Sequence, residues 1–243
     1  MSKRMKIAIG IPARMSSSRF PGKPLAELAG KPMLAHVIAR AQAAAIGELF
    51  VATDDARIAQ LAESCGVRAI MTAADHPNGS NRLAEAVQTI DCDIVINLQG
   101  DEPLIDPAAI RAVVAPFSDD PYLPMATLAH PLRPADVDDP NVVKVVCNAK
   151  GRAMYFSRAS IPYPRSGAGQ PLQHVGLYAY RKEFLLIYPT LAACDSEQVE
   201  QLEQLRVLYH GYDIAVTVGD FSCIGVDTPA DLARAEALMM QRG

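Results

Sequence analysis

The residues most suggestive of chemistry form a basic loop near the start of the chain. Arg14, Arg19 and Lys23 span ten positions, with three serines among them, directly after an apolar run that ends at Ile11. In an open α/β sheet, ligands bind just beyond the carboxyl ends of the strands. Cations and backbone N–H groups at such a place can offset most of the charge of a triphosphate. We interpret the loop as a phosphate-binding site, because these cations cluster in a chain whose net charge is −4.

The basic loop lacks the two best-known phosphate-binding patterns. Gly22-Lys23 is followed by Pro24, where a Walker A motif has serine or threonine. No Gly-x-Gly-x-x-Gly follows the first apolar run, so the dinucleotide fingerprint is missing as well. The sequence therefore predicts a phosphate loop of another kind. A solvated loop that binds nothing is the alternative at this point.

Two carboxylates stand where a metal-binding site could form. Asp101 follows the apolar run 93–98, and Asp227 precedes the last helical pattern. Mg²⁺ prefers one or two carboxylates together with phosphate oxygens and water, so a carboxylate near a phosphate loop suits it. The amide of Gln99 could read the edge of a base. The alternatives are a turn at Gly100-Asp101 and a helix cap at Asp227.

Other polar residues are weaker candidates. Arg82 follows Asn78-Gly79-Ser80, a stretch that could contact a nucleotide or simply form a turn and a helix cap. His174 and Tyr178 are four positions apart, so they share one side if they lie on a strand. Three more residues are polar side chains at a strand end or on a helix face, where solvation alone would explain them: Arg158, Glu203 and Gln204.

The elements that must position these residues follow an α/β pattern. Short apolar runs alternate with helical spacing, and apolar runs without polar alternation are typical of parallel strands covered by helices on both faces. We predict strands at 6–11, 49–53, 67–71, 93–98, 142–147 and 214–218. We predict helices around 33–41, 58–62, 82–90, 196–208 and 229–240.

Composition excludes several classes of protein. A chain of 243 residues that is 50% hydrophobic can bury a full core, and its net charge of −4 argues against a broad nucleic-acid-binding face. No apolar run is long enough for membrane insertion, and the basic start lacks the apolar region of a signal peptide. Five widely spaced cysteines predict reduced thiols and a cytoplasmic location, without a zinc knuckle or disulfide framework.

Nine stretches in order give the chain a family resemblance over nearly its whole length. They are IPARMSSSRFPGKPL, VATDD, NGSNR, NLQGDEPLI, DPNVVKVV, YFSRASIPY, HVGLYAYR, LEQLR and GVDTPADL. Together they resemble the 3-deoxy-manno-octulosonate cytidylyltransferase (CMP-Kdo synthetase) family. The resemblance implies a nucleotide-diphospho-sugar-transferase-like fold, with a mostly parallel sheet, flanking helices and a smaller β-rich dimerisation subdomain. It also implies a homodimer.

The resemblance implies a reaction and a division of the chain. CTP and 3-deoxy-manno-octulosonate (Kdo), an acidic eight-carbon sugar, would give CMP-Kdo and pyrophosphate. The anomeric hydroxyl of the sugar would attack the α-phosphorus in line, with Mg²⁺ present. The nucleotide-binding part would comprise roughly residues 1–120 and 210–243 of a single domain. The part for sugar binding and dimerisation would comprise roughly residues 121–209.

The family's functional residues can be carried over by position. Those implied for the nucleotide are Arg14, Ser17, Arg19, Lys23, Arg82 and Gln99. Those implied for catalysis are Lys23, Asp101 and Asp227, and the two aspartates would also bind the metal. Those implied for the sugar are Arg158, His174, Tyr178, Glu203 and Gln204.

One departure from the family pattern leaves specificity open. Asn81 stands where the family usually has an acidic residue, just before Arg82. The 8-amino analogue of Kdo or another acidic sugar is therefore an alternative substrate, and lipopolysaccharide and capsule pathways both stay open. A non-catalytic nucleotide-binding protein is a further alternative, but it would be expected to lack Lys23 or the carboxylates. A glycosyltransferase would need an Asp-x-Asp motif at the site. The two matches, Asp91-Cys92-Asp93 and Asp136-Val137-Asp138, lie outside it, and the first opens a predicted strand.

Overall fold

The fold is taken from a computed structural model that describes residues 5–16, 20–167, 169–221 and 223–242. Within these ranges the strands are β1 Ile7–Ala13, β2 Glu27–Leu28, β3 Lys31–Pro32, β4 Glu48–Thr53, β5 Arg68–Met71, β6 Ile94–Asn97, β7 Met125–Pro131, β8 Lys144–Cys147, β9 Ala153–Ser157, β10 Leu172–Arg181 and β11 Ile214–Val218. The α-helices are α1 Met33–Ala44, α2 Ala56–Ser64, α3 Gly79–Ala86, α4 Pro107–Ala112, α5 Pro116–Asp119, α6 Lys182–Ile187, α7 Asp195–Glu200, α8 Gln204–Tyr209 and α9 Pro229–Arg242.

One mixed sheet organises the chain in the order β11-β7-β10-β6-β1-β4-β5. The pairs β6–β1, β1–β4, β4–β5 and β11–β7 are parallel. β10 runs antiparallel to both neighbours, and β8 and β9 extend from it as an antiparallel arm. The predicted mostly parallel α/β sheet is confirmed. Because β7 and β10 come from the second half of the chain, that half contributes central strands to the same sheet.

Helices cover both faces of the sheet, as the uninterrupted apolar strands predicted. On β1, Ile9 and Ile11 pack into a core with residues of α1, α2 and α4, whereas Ala8 packs on the other face with residues of α3 and α6. Alternate residues of a strand point to opposite faces, so burial on both faces requires apolar residues at every position. Among the described residues, no helix has the length and apolar character that a membrane span requires.

The prediction of one helix over 196–208 is wrong. The structure has two short helices, α7 and α8, and Gln201 between them has a φ of 53°. This left-handed residue ends α7 and turns the chain before α8. The apolar spacing had placed Val199 on a buried face, yet its side chain is 82% exposed. Because of this break, Glu200 contacts Arg158, whereas Gln204 contacts Tyr178.

Gly47, which links α1 to β4, permits a first test of the fold. Its φ is +81°, and a Cβ there would lie 1.9 Å from the carbonyl oxygen of Ile7. We expect Gly47→Ala to lower the free energy of unfolding by more than the ~1 kcal/mol of left-handed strain alone. The matched control is Gly66→Ala, because Gly66 has a φ of +73° with open space around it. Urea unfolding of both variants measures the difference, and equal losses would contradict the clash.

Candidate active site

A pocket of about 370 Å³ opens where β1 and β6 end. This size is in the range of small-molecule sites, and the carboxyl ends of parallel strands are where such sites form. Seven of the residues singled out from the sequence line it: Arg14, Lys23, Arg82, Gln99, Asp101, Glu203 and Asp227. Ser17 and Arg19 lie outside the described residues. The structure therefore gathers residues from five separate stretches of the chain.

Lys23 lies between the two predicted carboxylates. Its Nζ is 2.6 Å from Asp101 Oδ2 and 3.1 Å from Asp227 Oδ1, and only 13% of its side chain is exposed. Gly22, with a φ of 74°, precedes the 3-10 turn Lys23–Leu25 that begins at this lysine. One ammonium group thus joins the end of β6 to the segment before α9.

The segment before α9 resolves the alternative that Asp227 is a helix cap. Thr228 Oγ1 accepts from Asp231 N at 3.2 Å, and the Asp231 carboxylate accepts from Thr228 N at 3.0 Å. This reciprocal pair is a capping box. Thr228 and Asp231 therefore cap the helix, and the Asp227 carboxylate points to Lys23 instead.

The chemistry of these donors fits Mg²⁺. The carboxylates of Asp101 and Asp227 both contact Lys23 Nζ, so they lie on the same side of the pocket. Within the described ranges, no cluster of three His, Cys, Asp or Glu side chains is arranged to hold a metal. Mg²⁺ does not need one, because it is commonly held by one or two carboxylates with substrate phosphates and water. Asp101 and Asp227 are therefore the residues that would hold it.

Glu102 is a partly buried neighbour that the sequence reasoning missed. Desolvation by the surrounding protein, together with the charges of Asp101 and Asp227, raises the pKa of this carboxyl to about 8. Cys223 Sγ donates to Glu102 Oε2 at 2.8 Å. A carboxyl with this pKa is mostly protonated at neutral pH. The negative charge around Lys23 is therefore concentrated on the two aspartates.

Arg82 brings a buried cation to the opposite wall of the pocket. Asn78 caps α3 by accepting from Asn81 N at 2.8 Å, which places Arg82 in the first turn of the helix. The guanidinium donates from Nη1 to Thr72 Oγ1 at 2.6 Å and lies 3.5 Å from Asp54. Its buried Nη2 has no hydrogen-bond partner among the described residues. A buried donor without a partner is rare in proteins and points to an acceptor on a ligand.

His174 is placed beside Tyr178, as the strand spacing predicted. Their ring centroids are 5.4 Å apart. Burial lowers the pKa of His174 to about 3, so the imidazole is neutral at physiological pH. Thr127 Oγ1 donates to the Leu177 carbonyl at 2.9 Å and therefore accepts from His174 Nε2, which is 2.9 Å away. His174 can thus offer Nδ1 as an acceptor, but it offers no positive charge to a carboxylate.

Arg158 is bound to the backbone rather than placed on the pocket wall. Its Nε donates to the Glu200 carbonyl at 2.7 Å and its Nη1 to the Pro140 carbonyl at 2.9 Å. The Glu200 side chain accepts from Arg158 N at 2.8 Å and from Ser157 Oγ at 2.6 Å. Glu200 is a second residue that the sequence reasoning missed, since its role depends on the break after α7.

Glu203 lines the pocket, whereas the next residue, Gln204, is buried against Tyr178. Tyr178 donates its hydroxyl to Gln204 Oε1 at 3.1 Å, and the buried Gln204 Nε2 has no partner among the described residues. Glu203 is exposed in the pocket, yet surrounding protein atoms and the charge of Glu197 raise its pKa to about 7. The arrangement offers a ligand one neutral donor and one carboxylate that titrates near neutral pH.

Comparisons with known proteins agree with this geometry. The sequence model of the family described as Cytidylyltransferase matches residues 7–214. The 3-deoxy-manno-octulosonate cytidylyltransferase of Syntrophotalea carbinolica is 52% identical, over 96% of this chain and 98% of that protein. The chain belongs to the 3-deoxy-manno-octulosonate cytidylyltransferase family. The protein of this name from Escherichia coli is 48% identical, over 97% of both chains.

A solved structure of the 3-deoxy-manno-octulosonate cytidylyltransferase family has the same fold. It is described as CMP:2-keto-3-deoxy-manno-octonic acid synthetase complexed with CTP. It superposes with a TM-score of 0.93 at 46% identity, and the match covers 98% of this chain and 100% of that one. At Asn81, the residue before Arg82, the buried side-chain Oδ1 has no partner among the described residues.

Proposed function

We propose that this protein is a CTP:Kdo cytidylyltransferase, which converts CTP and Kdo to CMP-Kdo and pyrophosphate. The observation that carries the proposal is Lys23, held between Asp101 and Asp227 at the edge of a pocket, in a chain that is 52% identical to a curated enzyme of this name. The buried donor without a partner on Arg82, in the pocket wall, supports a ligand that brings an acceptor, and Gln204 next to Glu203 has a second such donor.

The residues divide the work of an in-line displacement, and no side-chain nucleophile is needed. Lys23 and Arg14 stabilise the charge that develops on the leaving pyrophosphate. Arg82 binds the nucleotide through Nη2. Asp101 and Asp227 would hold Mg²⁺, and the bound ion would supply positive charge to phosphate oxygens and lower the pKa of the attacking hydroxyl.

The sugar end of the pocket works through neutral and acidic groups. Gln204 donates to the sugar, and Glu203 accepts hydrogen bonds from its hydroxyls. Tyr178 and the neutral His174 keep this wall in one arrangement, and His174 Nδ1 takes a further hydroxyl. Arg158 orders the backbone at 140 and 200–201, and it meets the sugar carboxylate only by exchanging one of its carbonyl partners.

The proposal includes a homodimer in the cytoplasm. The nucleotide-binding part is roughly residues 1–120 and 210–243, and the part for sugar binding and dimerisation is roughly 121–209. The edge strand β9 supports the dimer, because among the described residues it pairs with β8 alone and exposes Met154 and Tyr155. All five cysteines are free, which supports a reducing compartment.

Pyrophosphate release tests the proposed function. The assay contains Mg²⁺ and CTP, with Kdo, its 8-amino analogue, a sialic acid or no sugar. We expect release with Kdo. Preference for the 8-amino sugar would leave the proposed mechanism unchanged but identify a different substrate. The comparison is included because Asn81 departs from the expected family pattern. Folded protein that binds CTP but releases no pyrophosphate with any sugar would contradict the proposal.

Glu203 gives the reaction a pH dependence. With a pKa of about 7, ionised Glu203 rises from about one tenth to about nine tenths between pH 6 and pH 8. Only the ionised form accepts at both oxygens, so we expect the KM for Kdo to fall several-fold as the pH rises through this window. Kinetics at saturating CTP measure it. Glu203→Gln is the matched control and should flatten the profile; an unchanged profile in this variant would contradict the role of Glu203.

A further inference from the structure

A fully buried amide lies beneath the pocket and belongs to none of the roles described so far. Asn97 is the last residue of β6, and its side chain is fully shielded from solvent. It donates from Nδ2 to Ser80 Oγ at 3.3 Å, and its Oδ1 accepts from Gln99 Nε2 at 3.1 Å. Asn97 thus connects a residue of α3 with a residue of the pocket wall.

The direction of this chain of hydrogen bonds follows from the two contacts of Asn97. An amide nitrogen can only donate, so Ser80 Oγ accepts from Asn97 Nδ2. The same hydroxyl oxygen lies 3.3 Å from Tyr180 Oη. Asn97 therefore directs its Nδ2 to Ser80 and its Oδ1 to Gln99. Because that oxygen is an acceptor, Gln99 can form a hydrogen bond to it only by donating from Nε2.

The side-chain Oε1 of Gln99 consequently points into the pocket, where a ligand would bind. Gln99 Oε1 lies 3.6 Å from the place of a Cβ on Gly79, and both residues line the pocket. An acceptor there requires a neutral N–H or O–H donor. The exocyclic amino group of cytosine is such a donor, whereas uracil has a carbonyl oxygen in its place. A hydroxyl of the sugar is the other source within the pocket.

We propose that Asn97 is a positioning residue, which fixes the amide of Gln99 with its oxygen towards the pocket and so selects a ligand that donates a hydrogen bond there. The two ligands considered, CTP and Kdo, rest on the proposed function. Without Asn97, the Gln99 amide can rotate and present either its oxygen or its nitrogen. Selectivity then falls, although the pocket keeps its shape.

Asn97→Leu and Asn97→Asp separate this role from packing. Leucine has the same branched shape and no polar atom, so it releases the Gln99 amide. Aspartate keeps an acceptor facing Gln99 Nε2. Calorimetry gives the Kd of CTP, UTP and Kdo for each variant, and thermal unfolding checks that each is folded. Ser80→Ala is a second release variant, should leucine at position 97 prevent folding.

The dissociation constant that changes shows whether the base or the sugar donates the hydrogen bond to Gln99 Oε1. If cytosine supplies it, we expect the preference for CTP over UTP to fall about tenfold in Asn97→Leu and to persist in Asn97→Asp. If the sugar supplies it, the preference stays and the Kd of Kdo rises about tenfold in Asn97→Leu alone. Equal constants in wild type and Asn97→Leu, or equal losses in both variants at position 97, would overturn the proposal. These binding constants are measured without turnover, so failure of the proposed reaction is a separate result.

Discussion

Asp101→Asn is expected to lower kcat about 100-fold or more in the pyrophosphate-release assay at saturating Mg²⁺. The Asp101 carboxylate is 2.6 Å from Lys23 Nζ and faces the pocket at the end of β6. Asparagine keeps the size of the side chain and removes the charge, so both the metal and the lysine lose their main anionic partner. The loss should appear in kcat rather than in the KM for CTP, because positioning and charge stabilisation dominate phosphoryl-type transfer.

The matched control for this substitution is Asp119→Asn. Asp119 is exposed at the end of α5, outside the residues that line the pocket, and its substitution removes the same charge. We expect wild-type kcat from it. Near-normal turnover of Asp101→Asn under the same conditions would remove Asp101 from the catalytic residues.

Lys23→Gln is expected to reduce kcat by a similar factor, about 100-fold, and to weaken binding of CTP. Glutamine can still donate a hydrogen bond to either carboxylate, but it carries no charge to place against the leaving pyrophosphate. Steady-state kinetics at several Mg²⁺ concentrations measure the effect, because added metal should not restore a missing ammonium group.

Lys31→Gln is the control, since Lys31 is exposed on the short strand β3. A Lys23→Gln enzyme that regained wild-type kcat at high Mg²⁺ would show that the lysine only neutralises the aspartates. Equal losses in both lysine variants would indicate a general effect of charge on nucleotide attraction.

Much of the sheet was predictable because its physical cause is local. Strands such as β1 and β6 are buried on both faces, and this requirement appears in the sequence as an unbroken apolar run. β7 was missed, although it has a neighbouring strand on each side, because Pro124 precedes it and Pro131 ends it, and prolines are typical of loops. The antiparallel direction of β10 depends on the end of the sheet at which the chain re-enters it. The local sequence pattern of a strand carries no information about that direction.

The candidate site was predictable only in part, because its geometry depends on long-range folding. The spacing of Asp101 and Asp227 along the chain carries no information about their shared contact with Lys23; the family resemblance supplied that pairing as an implication. The break at Gln201 was hidden because the apolar periodicity continues through it. Burial, which a sequence does not show, makes His174 neutral and gives Glu203 a pKa of about 7.

The ammonium group of Lys23 stands where a second cation would have to approach both aspartates. In the ligand-free protein it acts as a built-in counterion, so one of the two negative charges of the carboxylate pair is already neutralised. A triphosphate offers the lysine a new partner and thereby frees the carboxylates. Binding of nucleotide and of metal is then thermodynamically coupled, and the coupling must act equally in both directions. An empty site therefore binds divalent ions weakly, and a site that contains CTP binds them strongly.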